Sequence, residues 1–470
     1  MALKLVIFAP HQDDELNLFG TLFNKYLKSG FDVNIVFITN GDAYGLEKIR
    51  YVESEKLKKI FGITNIFYFG FSDSSVDNLT DGTIYNNDSD VYVSISNHSK
   101  TYKPYDDNIN NYLPTLLGYD YLPYTRSSLL KGITEYLSLY RPEIIITTSW
   151  DDHPDHKIIS AVLSEAILSA CKKDNNYLPL YLEGFSYLGN WLGRDDFFNT
   201  TPLETIPDNT TNPAFPFKWD DRIQVFVDRK ELSLCFWKSK LFKAFCSYSS
   251  QNGAPHFFRS ANTDKCFWIR DTHNIALYSK IECSSGSPMP LNDFKLLDSN
   301  NIRNHDFSIK NHSLIHWSPS SDDLHPAIKI TFPTPKLIKT IVIHQGYGCE
   351  SFYCAITINN KDYEYIVDDY CYTIDLDYHT ATAHIEIKIK RFPSQEIAIR
   401  EIEVFDDHNN KYLDSFLSCS ENNIYPKRHK LMICFAKVFR KYYLWKEYKK
   451  YKKTMKNNKP MNNDGIFGFN

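Results

Sequence analysis

Apolar positions in the first half of the chain alternate between two periods. Residues 3–9 form a near-continuous apolar run, the pattern of a strand buried on both faces. Leu16, Phe19, Leu22, Phe23, Tyr26 and Leu27 then recur at helical spacing, predicting a helix over 16–29 that stops at Gly30. The exchange repeats: strand 33–39, helix 46–61 ending at Gly62, strand 65–70 and, after an interruption, helix 126–140, strand 143–148, helix 156–172 and strand 180–188. An irregular excursion over 195–221 precedes an apolar run at 225–228 and a helix over 231–245. Strict alternation of strand and helix predicts an α/β domain with a Rossmann-like parallel sheet. After a Ser/Pro-rich linker at 284–291 the pattern changes to short strands at 327–332, 338–344, 355–358, 372–376, 384–389 and 397–405, separated by turns. That spacing predicts a β-sandwich over 292–406.

Two stretches escape both patterns. Residues 74–124 lack clear periodicity and hold eight tyrosines, among them Tyr102, Tyr105, Tyr112 and Tyr124. A connection this long is expected to serve a function, here a substrate loop. Between Lys427 and Lys459 stand thirteen Lys or Arg and one acid, Glu447, while Leu431, Phe435, Val438, Tyr442 and Trp445 share a helical face. This is the make-up of a basic amphipathic helix, over 427–453, that lies on an anionic membrane surface; residues 454–470 are expected to be unstructured.

Composition narrows the classes. A net charge of −4 gives no nucleic-acid reading. Ten cysteines without a Cys-x-x-Cys pair, and a first strand starting directly after Met1, fit free thiols in a reducing compartment. The expected location is cytoplasmic, with the tail peripheral to the inner face of the membrane. No Gly-x-Gly-x-x-Gly follows the first strand, which argues against a dinucleotide.

The candidate chemistry sits at two strand-to-helix corners, where open α/β sheets bind ligands. The first carries His11, Asp13, Asp14 and Glu15; the second carries His153, Asp155 and His156. If the two strands are parallel neighbours, the clusters meet at one sheet edge. Two histidines and a carboxylate with an open position describe a catalytic zinc site, and a further carboxylate can act as general base. Either cluster alone could be a helix cap, with Asp at the N-cap or Pro154 at the first position. The pair together argues for a site. Residue type alone does not say which of Asp13 and Asp14 binds metal.

At these residues the chain resembles the PIG-L / LmbE-like family of zinc-dependent N-deacetylases, which carry His-Pro-Asp-Asp-Glu early and His-Pro-Asp-His later. The resemblance continues through Thr39-Asn40-Gly41-Asp42, Arg50 and Glu53, Gly70-Phe71-Ser72-Asp73, Lys243-Ala244 and Ser250-Gln251, and covers residues 1–283. It implies zinc (Zn2+) bound by His11, Asp14 and His156, Asp13 as general base, and His153 stabilising the oxyanion or protonating the leaving amine. It implies Asp155 orienting a histidine, and Arg50 and Asp73 contacting sugar hydroxyls. Trp150, just before the second corner, is a further candidate for stacking on a sugar, as is Trp191. Gln12 stands where the family usually has Pro, which removes a fixed φ but no ligand. Trp317-Ser318 and the closing run at 399–405 resemble the discoidin family of galactose-binding-like modules, more loosely; members often bind glycans. The expected function is removal of an N-acetyl group from an amino sugar in a lipid-linked or surface-polysaccharide pathway. An amidase of another acylated amine, or a non-catalytic glycan-binding scaffold, are the alternatives.

Overall fold

The computed structural model describes residues 2–73, 91–148 except 92, 95 and 107, 153–186, 217–226, 238–251, 253, 257, 264–296, 316–406 except 347, 348, 370 and 377–380, 410–420, and positions 438, 442, 445, 446 and 449. Trp150 and Trp191, most of the excursion at 195–221 and most of the basic tail lie outside these residues.

The first domain is built on seven strands: β1 (Lys4–Ala9), β2 (Asp32–Thr39), β3 (Asn65–Phe71), β4 (Ile144–Thr148), β5 (Leu180–Gly184), β6 (Ile223–Phe226) and β7 (Asp264–Asp271), in the order β3-β2-β1-β4-β5-β7-β6. The first five run parallel, as the alternation predicts; β7 and β6 extend the far edge antiparallel, so the sheet is mixed. Successive residues of β1 face opposite cores: Leu5, Ile7 and Ala9 pack on one side, Val6 and Phe8 on the other. Burial on both faces is why the parallel strands read as unbroken apolar runs. The order turns back between β1 and β4, leaving a crevice at their carboxyl ends.

The predicted helix over 16–29 is two helices, α1 (Asp14–Phe19) and α2 (Phe23–Lys28), joined by a tight turn in which Leu22 N–H donates to the Phe19 carbonyl at 2.8 Å. Further on come α3 (Glu47–Phe61), α4 (Leu113–Leu116), α5 (Arg126–Tyr140), α6 (Pro154–Lys173) and α7 (Lys240–Ser247). α3 ends at Gly62, whose φ of 82° is left-handed.

The tyrosine-rich connection is packed rather than free where it is described. Tyr112 bridges to Tyr68 of β3, and Tyr102 N–H donates to the Gly70 carbonyl at 3.0 Å. A Cβ on Gly70 would strike the Tyr102 carbonyl. Tyr112 and Tyr124 are buried, while Tyr105 and Tyr121 face solvent.

The second domain is a sandwich of two antiparallel sheets. One is five-stranded, ordered β12-β11-β14-β9-β8, from β8 (Lys280–Cys283), β9 (Ala327–Lys336), β11 (Phe352–Ile358), β12 (Lys361–Val367) and β14 (Thr382–Lys390). The other is three-stranded, ordered β13-β10-β15, from β10 (Thr340–Gln345), β13 (Cys371–Asp375) and β15 (Ile399–Phe405). Their inner faces close over Trp317, Ile330, Ile343, Ile356, Ile387 and Ile402. β8 pairs with β9, so the sandwich begins before the expected linker. The residues read as linker are tied down instead: the Ser284 and Ser285 hydroxyls donate to Asp323, and Trp317 Nε1–H donates to the Ser285 carbonyl at 2.8 Å.

After β15 the chain returns to the first domain. Helix α8 (Leu413–Leu417) inserts Phe416 into the first core, where Tyr26 O–H donates to the Phe416 carbonyl at 2.8 Å. The domains also meet through polar groups. Val404 N–H donates to Asn274 Oδ1 at 2.9 Å, and the buried Arg270 of β7 lies 3.5 Å from Glu403 of β15.

Candidate active site

The crevice between β1 and β4 gathers the two corners. Beyond β1, the Pro10 carbonyl accepts from both the backbone N–H and the hydroxyl of Thr39, which fixes the end of β1 against the end of β2. His11 follows, and its imidazole is gripped on both sides. Nδ1 lies 3.1 Å from Asp14 Oδ2, and Nε2 lies 3.0 Å from Asp155 Oδ2 and 3.9 Å from Asp73 Oδ1. His156 comes from the first turn of α6 and places Nε2 3.1 Å from the same Asp14 Oδ2. One buried carboxylate oxygen therefore faces two imidazole nitrogens from corners 142 residues apart, Asp14 and His156.

His153 caps α6: its Nδ1 accepts the Asp155 N–H at 3.2 Å. That bond places the proton of a neutral ring on Nε2. Burial, followed by the neighbouring His11 charge, holds its pKa well below the usual imidazole value, so the ring is neutral. Its centroid is 4.6 Å from that of His11 and 5.1 Å from that of His156.

Asp13 stands out by its backbone. Its φ of 131° and ψ of −27° lie where L-residues rarely go, a conformation that costs on the order of 1–3 kcal/mol and persists only when neighbours impose it. Its carbonyl accepts from Leu16 and Asn17, starting α1, and its N–H donates to Glu15 Oε2 at 2.9 Å. Burial and the adjacent Asp14 charge push the Asp13 carboxyl up to about 7. Burial pushes Glu15 to about 8, against the bond from Tyr248. Burial also works against charge on His11, but Asp73, Asp14 and Asp155 outweigh it and hold that imidazole well above its usual value.

The flanking loops brace one another. Asp73 N–H donates to Asp42 Oδ1 at 2.7 Å, Ala43 N–H donates to Asp73 Oδ2 at 3.0 Å, and the Ser72 hydroxyl donates to Asp42. Arg50, from α3, reaches Gln251 Oε1 at 3.0 Å and adds positive charge beside Asp13. Gly41, with φ 64°, leaves room for both Arg50 and Gln12: a Cβ there would strike their side chains. Gln12 donates to the Thr39 carbonyl at 3.3 Å, so a hydrogen bond ties down the loop where a proline ring would stiffen it.

The donor set fits a divalent cation. Ring nitrogens of His11, His153 and His156 lie within 4.8 Å of one another, as do donor atoms of His11, Asp73 and Asp155. Among the described residues, Asp14 Oδ1 and Asp73 Oδ1 are buried without a hydrogen bond. Such an acceptor excess is costly unless a cation shares it.

Of the residues picked out in the sequence, His11, Asp13, Asp14, Asp73, His153, Asp155 and His156 converge here, and Arg50 borders them. Trp150 lies outside the described residues. Sequence reasoning gave no role to Tyr248 or Asp42, and did not see Glu15 as a brace. Asp42 could have been found from its place in the loop after β2; Tyr248 touches Glu15 across 233 residues, and no spacing signals that.

Fold and site together define a doubly wound α/β domain with a cluster of His and Asp side chains, of a kind that could hold a cation, at its switch point. Residues 6–167 match the family model described as PIG-L, GlcNAc-PI de-N-acetylase. No curated protein matches the chain. Among solved structures, the chain is similar to N,N'-diacetylchitobiose deacetylase from Pyrococcus horikoshii at 16% identity and TM-score 0.25, over 41% of this chain and 63% of that one. It is similar to a deacetylase of the teicoplanin biosynthesis pathway at 15% identity and TM-score 0.30, over 57% and 97%. It is also similar to the module CpGH89CBM32-6 from Clostridium perfringens at 16% identity and TM-score 0.20, over 28% and 98%.

Proposed function

We propose that the chain is a metal-dependent hydrolase that removes the acetyl group from an N-acetylated amino sugar. The observation that carries this reading is the Asp14 carboxylate oxygen shared by His11 and His156 at 3.1 Å each. Those three residues would hold the cation, with zinc the ion that suits two imidazoles and a carboxylate. A cation there supplies Lewis acidity, lowering the pKa of water and polarising a carbonyl.

The protein's own groups account for the proton movements. Asp13 takes a proton from the attacking water as its oxygen bonds to the acetamide carbon. His153, with its proton on Nε2, donates a hydrogen bond to the oxygen that gains charge. The carbon–nitrogen bond then breaks, and the nitrogen leaves with the proton that Asp13 returns. The products are acetate and a free amine. Asp155 fixes the orientation of His11 by accepting from Nε2. Arg50 and Asp73, at the border of the site, are placed to meet sugar hydroxyls.

The substrate's carrier is read from the tail. Val438, Tyr442 and Trp445 are helical and exposed, and recur at four- and three-residue steps. Lys449 sits 4.0 Å over the Trp445 ring. With thirteen cations between Lys427 and Lys459, such a stripe fits an anionic lipid surface, which favours a lipid-linked saccharide. No helix among the described residues is long and apolar enough to cross a membrane.

The test is acetate release from N-acetylhexosamines, nucleotide-linked sugars and lipid-linked oligosaccharides. Release that stops on chelation supports the reading; no release from any class overturns it. For the tail, a chain ending at Pro426 should leave anionic vesicles that the full chain binds, and equal binding by both removes the lipid argument.

A further inference from the structure

We infer that Tyr248 and Glu15 are a positioning pair that imposes the strained conformation of the base Asp13; this rests on the deacetylase reading of the same site. Tyr248, just past α7, is buried, and its hydroxyl donates to Glu15 Oε1 at 2.7 Å. The other oxygen of that carboxylate accepts the Asp13 N–H at 2.9 Å. Both Glu15 oxygens are thus engaged, and the chain of bonds runs from a residue late in the domain to the backbone of the base. Asp13 needs such a device. Its φ of 131° is a region glycine tolerates and aspartate resists, so without an imposed bond the peptide would relax and swing the carboxylate away from the crevice.

The neighbouring residues act in the same direction. Ser249 and Ser250 hydroxyls donate to the buried Glu53 at 2.8 Å and 2.5 Å, the Ser250 N–H adds a third bond at 3.0 Å, and Gln251 accepts from Arg50. Four consecutive residues therefore reach Glu15, Glu53 and Arg50, anchoring the segment that carries Tyr248 against the first corner and α3. A hydroxyl lodged in a core for packing alone needs a single acceptor of any kind. This one ends on the carboxylate that accepts from the backbone N–H of the base.

Tyr248→Phe keeps the ring in the core and removes only the hydroxyl. In the full-length, zinc-loaded protein acting on N,N'-diacetylchitobiose, kcat should fall about ten- to a hundredfold, while KM and zinc content stay within about twofold. Amide hydrogen exchange in the peptide 10–16 should quicken in the same variant, with exchange across the sandwich unchanged. A kcat within about twofold of wild type, or unaltered exchange at 10–16, overturns the positioning pair. Wild-type protein that releases no acetate from any saccharide overturns the deacetylase reading instead. The exchange measurement needs no substrate, so it separates the two failures. Should Tyr248→Phe fail to fold, Glu15→Met, which keeps the side-chain volume and removes the acceptor of the Asp13 N–H, gives the same readouts.

Discussion

Asp13 and Asp14 are adjacent and identical in type, and the fold sets them in opposite environments. Asp14 begins α1 with its carboxylate turned to His11 and His156, and those positive partners hold it well below the ordinary carboxylate range even though burial opposes that. Asp13, one residue earlier and on the far side of a strained peptide, is pushed up to about 7 by burial and by Asp14 itself. One carboxylate is built to stay charged and the other to exchange a proton near neutrality. Asp13→Ala should therefore retain the cation while turnover drops by about 10²- to 10⁴-fold. Parallel zinc analysis and acetate release check this. A wild-type rate would move the base to another residue.

At the scale of elements, the parallel strands show most clearly in the sequence because each is covered on both faces. What the sequence hid has physical reasons. β12 (Lys361–Val367) is an edge strand with Lys361, Asp362 and Glu364 toward solvent, so it lacks an apolar signature. β8 has four residues and is completed only by its pairing with β9. The helix read over 16–29 keeps its apolar stripe across the break because both halves face one core. The site residues were legible where they sat at strand–helix corners. Their supports, Tyr248 above all, were not, since contacts between distant segments leave no local pattern. Helix α8 makes the point in energetic terms. Its five residues carry one fully buried ring, Phe416, which lies 5.0 Å from Tyr26 and 5.9 Å from Phe267. Phe416→Ala should cost about 3–5 kcal/mol, since a ring-sized void opens between packed aromatics. Urea denaturation measures it; a loss below about 1 kcal/mol would mean that α8 is a surface appendage.

For the whole molecule, the sandwich is held between two passages of chain that belong to the first domain, β7 and α8. The junction is polar. Arg270 and His344 both face Glu403, at 3.5 Å and 3.0 Å, in a buried setting. Burial alone would raise the Glu403 carboxyl, but His344 and Arg270 outweigh it and hold it below its ordinary value. A carboxyl depressed in the folded state stabilises the fold at every pH above its unfolded value, about 4.3. That contribution is lost as pH falls through the depressed folded value. Glu403→Gln should thus cost about 3–5 kcal/mol at pH 7, because the buried Arg270 and His344 lose the carboxylate that both face. The gap from wild type should narrow as the solution is acidified below about pH 4. Denaturation curves at several pH values check the sign, and a gap that widens in acid contradicts it.

The most direct measurement is zinc titration of metal-stripped protein by calorimetry, in wild type and in single alanine variants. We expect one equivalent in wild type, its loss in His11→Ala, Asp14→Ala and His156→Ala, and its retention in His153→Ala. Absence of binding at micromolar zinc in wild type, or undiminished binding in His156→Ala, would contradict a cation shared between the two corners.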